Sequence, residues 1–255
     1  MDLNQFIVEI HAVGKPIDTR FVTGRGLHGL LYNIVRSSDP SNATKLHQLK
    51  APKPFTLAPC TKDNKGYLSG IRLTCLDSFT SSVIPNGIMY ALKNSLVFQL
   101  GKQKFRLSAI HYITGTTFEY LLSQHPCNQV GLRFLSPTSF KKGTVTLPLP
   151  IPQNVFLRPF SVWNTFAPNR MNISNKWLDW CEEYVHIQQM NISTSFLSLS
   201  TKKSNGIIGY IGDVWFKSKS NHLENLQTLN RLANFAVYCG IGYRTTMGGG
   251  VIEII

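Results

Sequence analysis

The chain has 255 residues and a mass of 28.7 kDa, and 43% of its residues are hydrophobic, which is enough to bury a full core as one large domain or two small ones. This composition excludes a disordered chain, and no stretch reaches the roughly 18 apolar residues of a membrane span. Its 26 lysines and arginines against 13 aspartates and glutamates give a formal charge of +13 and a pI near 9.7, which predicts a polyanionic partner, with nucleic acid ahead of an anionic membrane.

The first half of the chain alternates between strand-like and helix-like segments. QFIVEIHA has the alternation of a strand, and an amphipathic helix follows from about Gly24 to Ser37. Next come the strands PFTLAPC and GYLSGIRLTC, and then a helix from about Ser78 to Lys93 that Pro85 could interrupt. SLVFQLGKQKFRLSAIHYI reads as strands joined by a Gly-Lys turn. This βαββαβ order predicts a ferredoxin-like domain.

The first helix begins with GRGLHG, from Gly24 to Gly29, which has the GxGxxG spacing of a dinucleotide-binding fingerprint. That fingerprint requires the glycines to follow a strand directly, with an acidic residue about 20 positions later. Here the strand ends about ten residues earlier, and no acidic residue closes a second parallel strand. The pattern therefore does not predict a nucleotide, and we expect no cofactor.

The same helix carries polar side chains opposite its apolar stripe. The stripe consists of Leu27, Leu30, Leu31, Ile34 and Val35. Arg25, Tyr32 and Arg36 fall within about 40° of each other on the opposite side, and His28 is adjacent to them. This arrangement predicts that Tyr32 lies off the core face.

A short second helix is predicted after the first. Asp39 is a suitable N-cap, Pro40 suits the first helical position, and the helix should end near His47. Lys53 follows between two prolines, whose fixed φ angles stiffen its position.

The second half of the chain repeats the strand and helix order less regularly. It contains the strand GLRFLS, the proline-rich LPLPIP, a tryptophan-rich helix from about Asn175 to Gln189, the strand IIGYIGDVWFK, a periodic helix from about His222 to Tyr238 and the strand VIEII. SQHPCN interrupts the pattern between the halves. We therefore predict an α+β protein with two tandem ferredoxin-like (RRM-like) domains, over residues 1–125 and 126–255.

The last helix is joined to the last strand by GIGYRTTMGGG, Gly240 to Gly250, which we call the glycine-rich loop. One glycine is enough to end a helix, and this loop has five. Glycines permit positive φ and leave backbone N–H groups uncovered, so the composition predicts a loop that faces a phosphate-bearing ligand. Arg244 at its centre suits the same ligand.

The five cysteines form no CxxC pair and have no close histidine, so we predict neither a zinc site nor a disulfide framework. A reducing compartment, the cytoplasm, fits this usage best. The opening MDLNQFIVEIHAVGK shows no targeting signal.

Several segments together resemble a known family. Two segments carry the resemblance: the run GLLYNIVRSSDPSNATKLHQLKAPKPFTLAPC and the glycine-rich loop, which has the spacing GhGxxxxxGhG (h apolar) except at Gly249. Both are similar to segments of CRISPR-associated repeat-processing endoribonucleases, the Cas6-type members of the RAMP superfamily. GLRFLSPTSFKK, GYIGDVWFK and LNRLANFAVYCGIGYRTTMG also read like segments of that family. The resemblance implies tandem ferredoxin-like domains, binding of a CRISPR repeat in precursor RNA, and one metal-independent cut per repeat that releases guide RNAs.

The resemblance also implies that Tyr32, His47 and Lys53 are catalytic, because they stand at the spacing of the family's tyrosine, histidine and lysine. In metal-free cleavage the 2′-OH attacks the adjacent phosphorus, leaving a 2′,3′-cyclic phosphate and a 5′-OH. One group must take the 2′-OH proton, another must protonate the leaving oxygen, and a cation should stabilise the phosphorane. His47 fits the general acid or base, Tyr32 would orient or deprotonate the 2′-OH, and Lys53 would stabilise the charge.

By the same analogy RNA should lie against the glycine-rich loop. The candidate RNA-binding residues are Arg25, Arg36, Lys50, Arg231, Gly240, Gly242, Arg244, Gly248 and Gly250. The predicted partner is CRISPR repeat RNA, other Cas proteins of an effector complex are further candidates, no membrane is involved, and the protein would be a monomer or homodimer.

Two alternatives stay open. The chain could be a catalytically silent RAMP-type RNA-binding subunit of a CRISPR effector complex, although a pure holder would not need tyrosine, histidine and lysine together. It could also be a generic single-strand RNA-binding module, but it has no RNP1-like pattern.

Overall fold

The structure is a computed structural model that describes residues 3–62, 66–201 and 205–255. It divides into two compact units. Unit 1 comprises Met1–Gly115, Ser198–Gly206 and Thr246–Gly248, and unit 2 comprises Thr116–Leu197, Ile207–Thr245 and Gly249–Ile255. The chain therefore returns to unit 1 twice through short segments, one of which belongs to the glycine-rich loop. Within the described ranges, no helix combines the length and apolar character that crossing a membrane requires.

The first part of the chain forms a five-stranded sheet with three helices. Its elements are β1 (Leu3–Val13), α1 (Gly24–Ser38), α2 (Pro40–Gln48), β2 (Phe55–Lys62), β3 (Tyr67–Cys75), α3 (Ser78–Lys93), β4 (Val97–Leu100) and β5 (Gln103–Thr116). The strand order is β2-β3-β1-β5-β4, and β3 pairs antiparallel with both β1 and β2. This split arrangement confirms the ferredoxin-like prediction, with β4 added at the edge as a hairpin with β5.

The core of unit 1 lies between the sheet and the apolar stripe of α1. Leu27, Leu31 and Val35 are buried in one cluster with Phe55 and Phe105 from the strands. Burial of such side chains contributes about 1.5–3 kcal/mol each, which outweighs the low intrinsic stability of a short helix.

The helix α3 continues through Pro85, which the sequence suggested as a possible interruption. A proline inside a helix removes one hydrogen bond and costs about 3 kcal/mol. Ile84 and Ile88, fully buried on either side of Pro85, hold the helix on the core and offset that cost.

The second part of the chain forms a four-stranded sheet, a small hairpin and four helices. Its elements are α4 (Phe118–Leu122), β6 (Gln129–Thr138), β7 (Phe140–Lys142), β8 (Val145–Leu147), α5 (Pro152–Phe166), α6 (Lys176–Tyr184), β9 (Val185–Ser198), β10 (Gly206–Ser218), α7 (Leu223–Cys239) and β11 (Ile252–Ile254). The sheet order is β11-β6-β10-β9, and β6 pairs antiparallel with both β10 and β11. This is again the split ferredoxin-like order, so the fold class predicted for this half is also confirmed.

In the second half one prediction was wrong in detail and one helix was missed. The tryptophan-rich helix ends at Tyr184 rather than Gln189, because the alternating sequence from Val185 onward forms the long strand β9. The helix α5 was not predicted; only the proline-rich LPLPIP, which ends at Pro152, the first residue of α5, was noted in the sequence. Pro152 occupies the first turn, where its missing N–H costs nothing, and Pro159 is packed in the core.

Candidate active site

Tyr32, His47 and Lys53 lie together in unit 1. Tyr32 comes from α1, His47 from the last turn of α2, and Lys53 from the segment that leads into β2. The Nζ atom of Lys53 lies 2.8 Å from the Tyr32 Oη and 5.4 Å from the centre of its ring. The His47 ring packs edge-to-face on Tyr32, with centroids 5.1 Å apart. The structure thus brings together the three residues that the resemblance singles out, and their catalytic roles stay a prediction.

The turn between α1 and α2 explains how His47 reaches Tyr32. Asp39 ends the first helix, donating its N–H to the Val35 carbonyl, and caps the second, where its carboxylate accepts from the Asn42 N–H at 2.9 Å. One residue therefore ends one helix and starts the next, so α2 folds back on α1. Leu46 is buried between them, and the neighbouring His47 is exposed to solvent.

Lys53 is held by the C-terminal end of α2. Its ammonium donates to the main-chain carbonyl of His47 at 2.9 Å and to that of Leu46 at 3.4 Å, in addition to Tyr32. Carbonyls in a last helical turn have no intrahelical partner and carry the negative end of the helix dipole. Lys53 therefore caps α2 and fixes Tyr32 at the same time, while partial burial lowers its pKa.

Tyr32 is buried, with 6% of its surface exposed, so the prediction that it lies off the core face was wrong. The helical projection considered one packing surface on α1, whereas α2 and Lys53 cover the other side. Burial raises the pKa of Tyr32 to about 12. The phenol is therefore neutral near pH 7.

His28 is a fourth member of the cluster that the sequence did not assign to the site. Its Nε2 lies 2.9 Å from the Tyr32 Oη, and the two ring centroids are 4.8 Å apart. The signal in the sequence was the four-residue spacing, which places two side chains on adjacent turns of one helix face. We call Tyr32, His47, Lys53 and His28 the tyrosine cluster.

Exposed basic side chains surround this part of unit 1. Arg25 and Arg36 on α1, and Lys50 after α2, are exposed, and none of them forms an ion pair with a described residue. Cations without a carboxylate partner suit contacts with a phosphate backbone. Within the described ranges no three His, Cys, Asp or Glu side chains are close enough to hold a metal ion.

The glycine-rich loop is stabilised by main-chain hydrogen bonds within the loop and to the residue between β6 and β7. The N–H of Ile241 donates to the Gly250 carbonyl and that of Tyr243 to the Ser139 carbonyl, each at 2.9 Å. Gly242 and Gly250 have φ of 76° and 73°, and a Cβ on either would collide with a carbonyl, that of Ser139 or Ile241 respectively. These two glycines are therefore required by the fold itself. Their contact with RNA stays a prediction.

The other loop glycines have comparable constraints. Gly240 ends α7 with a φ of 70°, and Gly248 has a φ of 101°. A Cβ on Gly249 would lie 2.8 Å from the Tyr243 carbonyl oxygen, which explains why the position that departs from the family pattern has no side chain. Arg244 also has a positive φ, 64°, and its guanidinium lies over the Tyr243 ring at 4.4 Å.

The GRGLHG pattern has a structural explanation. A Cβ on Gly24 would lie 2.6 Å from the Met247 carbonyl oxygen, and the N–H of Gly26 donates to the hydroxyl of Thr23, the N-cap of α1. Gly24 therefore allows the loop segment Thr246–Gly248 to approach the start of α1, within unit 1. The helix that carries Tyr32 and His28 begins at this contact.

Arg231, one of the candidate RNA-binding residues, is buried in unit 2 with 7% of its surface exposed. Its guanidinium lies over the Trp163 ring at 5.4 Å, its Nε has no hydrogen-bond partner among the described residues, and burial lowers its pKa. A contact with RNA stays a prediction that this burial disfavours.

The chain matches two family models that together cover most of its length. CRISPR Cas6 N-terminal domain matches residues 5–103, and CRISPR-associated endoribonuclease Cas6 matches residues 132–252. No curated protein sequence gives a significant match.

Solved structures of Cas6 proteins share the whole fold. A Cas6 (TTHB231) product complex is 25% identical with a TM-score of 0.84, and a Cas6 (TTHA0078) product complex is 21% identical with a TM-score of 0.80, each pair covering 100% of both chains. Thermus thermophilus Cas6 (TTHB231) is 23% identical with a TM-score of 0.77, over 99% of this chain and 98% of that one. On the matches to both family models and this full-length similarity, the chain belongs to the family of CRISPR-associated endoribonucleases called Cas6.

Proposed function

We propose that this protein binds the repeat of a CRISPR precursor RNA and cuts it once per repeat without a metal ion, leaving 2′,3′-cyclic phosphate and 5′-OH ends. The observation that carries this proposal is the contact of Tyr32 with both Lys53 and the ring of His47. These are the residue types that the three tasks of metal-free RNA cleavage require.

His47 is the proposed general acid. Its imidazole is exposed at the end of α2, where a bound RNA can reach it, and histidine is the side chain whose unperturbed pKa lies near neutral pH. It would protonate the 5′-oxygen as the bond from that oxygen to phosphorus breaks.

Tyr32 and Lys53 would prepare the other side of the phosphate. Tyr32 stays neutral and orients the 2′-OH through a hydrogen bond. Lys53 holds the phenol in place and adds positive charge near the developing phosphorane. To contact the phosphate directly, its ammonium would give up the long hydrogen bond to the Leu46 carbonyl and donate to a phosphate oxygen instead. Its hydrogen bonds to the Tyr32 Oη and the His47 carbonyl are shorter and would be kept.

RNA affinity would come mainly from basic residues. Arg25, Arg36 and Lys50 are exposed in the part of unit 1 that carries the tyrosine cluster, and Arg244 is in the glycine-rich loop. The Cas6 structures described as product complexes are consistent with RNA as the ligand.

Cleavage of the cognate repeat RNA tests the proposal. We expect one cut per repeat in excess EDTA, and none when a single 2′-deoxy nucleotide replaces the one that supplies the nucleophile. The upstream product should carry a cyclic phosphate that acid opens. Loss of cleavage in EDTA that Mg²⁺ or Mn²⁺ restores would disprove the mechanism.

The second candidate is a catalytically silent RNA-binding subunit. One observation favours it, because Lys53 directs its ammonium at three protein acceptors, as a purely structural lysine would. In that case wild-type protein would bind repeat RNA and release no product in a single-turnover assay.

A further inference from the structure

We propose that His28 is a positioning residue that acts through Tyr32: its Nε2 accepts the phenolic hydrogen bond and takes up the Tyr32 proton while Tyr32 receives the proton of the RNA 2′-OH. This rests on the proposed cleavage function. The observation behind it is the chain of contacts from Lys53 Nζ to Tyr32 Oη, 2.8 Å, and from Tyr32 Oη to His28 Nε2, 2.9 Å.

The direction of these hydrogen bonds follows from what each group can donate. An ammonium only donates, so Tyr32 Oη accepts from Lys53. The phenol has a single hydrogen, and His28 Nε2 at 2.9 Å accepts it when that nitrogen carries no proton. In the proposed arrangement His28 Nε2 is unprotonated, and the neutral imidazole carries its proton on Nδ1.

This arrangement leaves one position of the Tyr32 oxygen for a substrate. A phenolic oxygen has two lone pairs and one hydrogen. Lys53 uses one lone pair and His28 uses the hydrogen, so the second lone pair can accept the 2′-OH. A buried neutral phenol cannot hold a second proton, so it must release its own as it gains one.

The proposed step conserves atoms and charge. The 2′-O–H bond breaks as the bond from the 2′-oxygen to phosphorus forms, and that proton joins Tyr32 Oη. The original phenolic proton moves to His28 Nε2, so Tyr32 is unchanged and the imidazole becomes an imidazolium. The bond from phosphorus to the 5′-oxygen breaks, and His47 gives its proton to that oxygen.

The surroundings of His28 disfavour a lasting positive charge on its ring. Two of its neighbours are Tyr32 on the same helix and the apolar ring of Phe55 on β2, the latter at a centroid distance of 6.2 Å. The charge facing it is that of Lys53, on the far side of the Tyr32 oxygen. A positive neighbour disfavours a lasting imidazolium, which returns His28 to the neutral state after the cut.

His28→Gln separates proton uptake from simple orientation, because a glutamine amide oxygen can accept the phenolic hydrogen bond but cannot take the proton. Single-turnover cleavage should be measured from roughly pH 5 to 8, where histidines titrate. We expect the wild-type cleavage rate to increase with pH in the acidic part of this range. His28→Gln should show no such increase and should cleave roughly 10²-fold more slowly. His11→Gln, at an exposed position on β1, is the matched control and should keep the wild-type profile.

A double variant checks that His28 acts through Tyr32. We expect Tyr32→Phe with His28→Gln to cleave at the rate of Tyr32→Phe alone, because in the proposed relay His28 acts on the substrate through the phenol. A wild-type pH profile in His28→Gln, or rate losses that multiply in the double variant, would overturn the proposal.

A second measurement does not depend on cleavage. In ¹⁵N-histidine-labelled protein near pH 8, the Nε2 of His28 should have the chemical shift of a bare ring nitrogen, and Tyr32→Phe should change it. A protonated Nε2 would overturn the proposal even in an active enzyme. If wild-type protein cuts no repeat RNA, the cleavage function fails, and the relay fails with it whatever the tautomer.

Discussion

Replacing His47 by alanine should separate catalysis from binding and folding. If His47 donates a proton in the transition state, His47→Ala should lower the single-turnover rate by roughly 10²- to 10⁴-fold, the usual scale for a positioned acid or base, which corresponds to about 3–5 kcal/mol. RNA affinity should be nearly unchanged, because a neutral imidazole adds little to an interface dominated by lysine and arginine.

The structure also limits the effect on stability. Lys53 binds the main-chain carbonyl of His47, which alanine keeps, so the cap of α2 survives the substitution. What is lost is the edge-to-face contact with Tyr32, worth at most about 1.5 kcal/mol. Urea denaturation should therefore show a small change in the free energy of unfolding next to a large change in rate.

Two controls accompany this experiment. Gln48→Ala changes the exposed residue next to His47 in the same helical turn, and His11→Ala removes an exposed histidine from β1. His28 does not serve as a control, because it bonds to Tyr32. Cleavage by His47→Ala at the wild-type rate, or equal rate losses in the control variants, would refute the reasoning.

Four further outcomes are expected. Lys53→Met should lower the free energy of unfolding by about 1–2 kcal/mol in urea titrations, because the last turn of α2 loses its cap, and should also slow cleavage; an unchanged stability would contradict the capping role. As the pH rises from about 10 to about 12, the free energy of unfolding of Tyr32→Phe should fall less than that of the wild type, because the raised pKa keeps the folded phenol neutral while the unfolded one ionises. An equal fall of the free energy of unfolding in the two proteins over this pH range would count against this. Arg244→Ala should weaken RNA binding and lower the slope of log K against log salt by roughly 0.7–0.9, with Lys141→Ala as the comparison, and an unaltered slope would remove Arg244 from the interface. A folded Gly248→Val should bind RNA more weakly, because its φ of 101° strains any β-branched residue, and unchanged affinity would limit the loop to a structural role.

The helices around the tyrosine cluster could be predicted because their signals are local. Asp39 and Pro40 start α2 through contacts within three residues, and the apolar stripe of α1 is set by its own spacing. The observed α1, Gly24–Ser38, differs from the predicted helix by one residue.

The burial of Tyr32 and its bond to Lys53 could not be predicted in the same way. Both depend on how α2 and the segment before β2 pack on α1, which brings residues 21 positions apart into contact. A helical projection gives the direction of a side chain but not what covers it. The same limit applies to Gly242 and Gly250. The sequence could not show which carbonyl groups face them, because Gly242 packs on the Ser139 carbonyl and Gly250 packs on the Ile241 carbonyl.

If the glycine-rich loop contacts RNA, as proposed, its main-chain hydrogen bonds have a consequence for the kinetics of binding. Because Ile241 pairs with Gly250 and Tyr243 with Ser139, the backbone of the loop is already ordered before any ligand arrives. A pre-organised loop loses little conformational entropy on binding, so association need not wait for a segment to fold. Repeat RNA should therefore bind in a single kinetic phase, at a rate governed by electrostatic steering and falling steeply with salt.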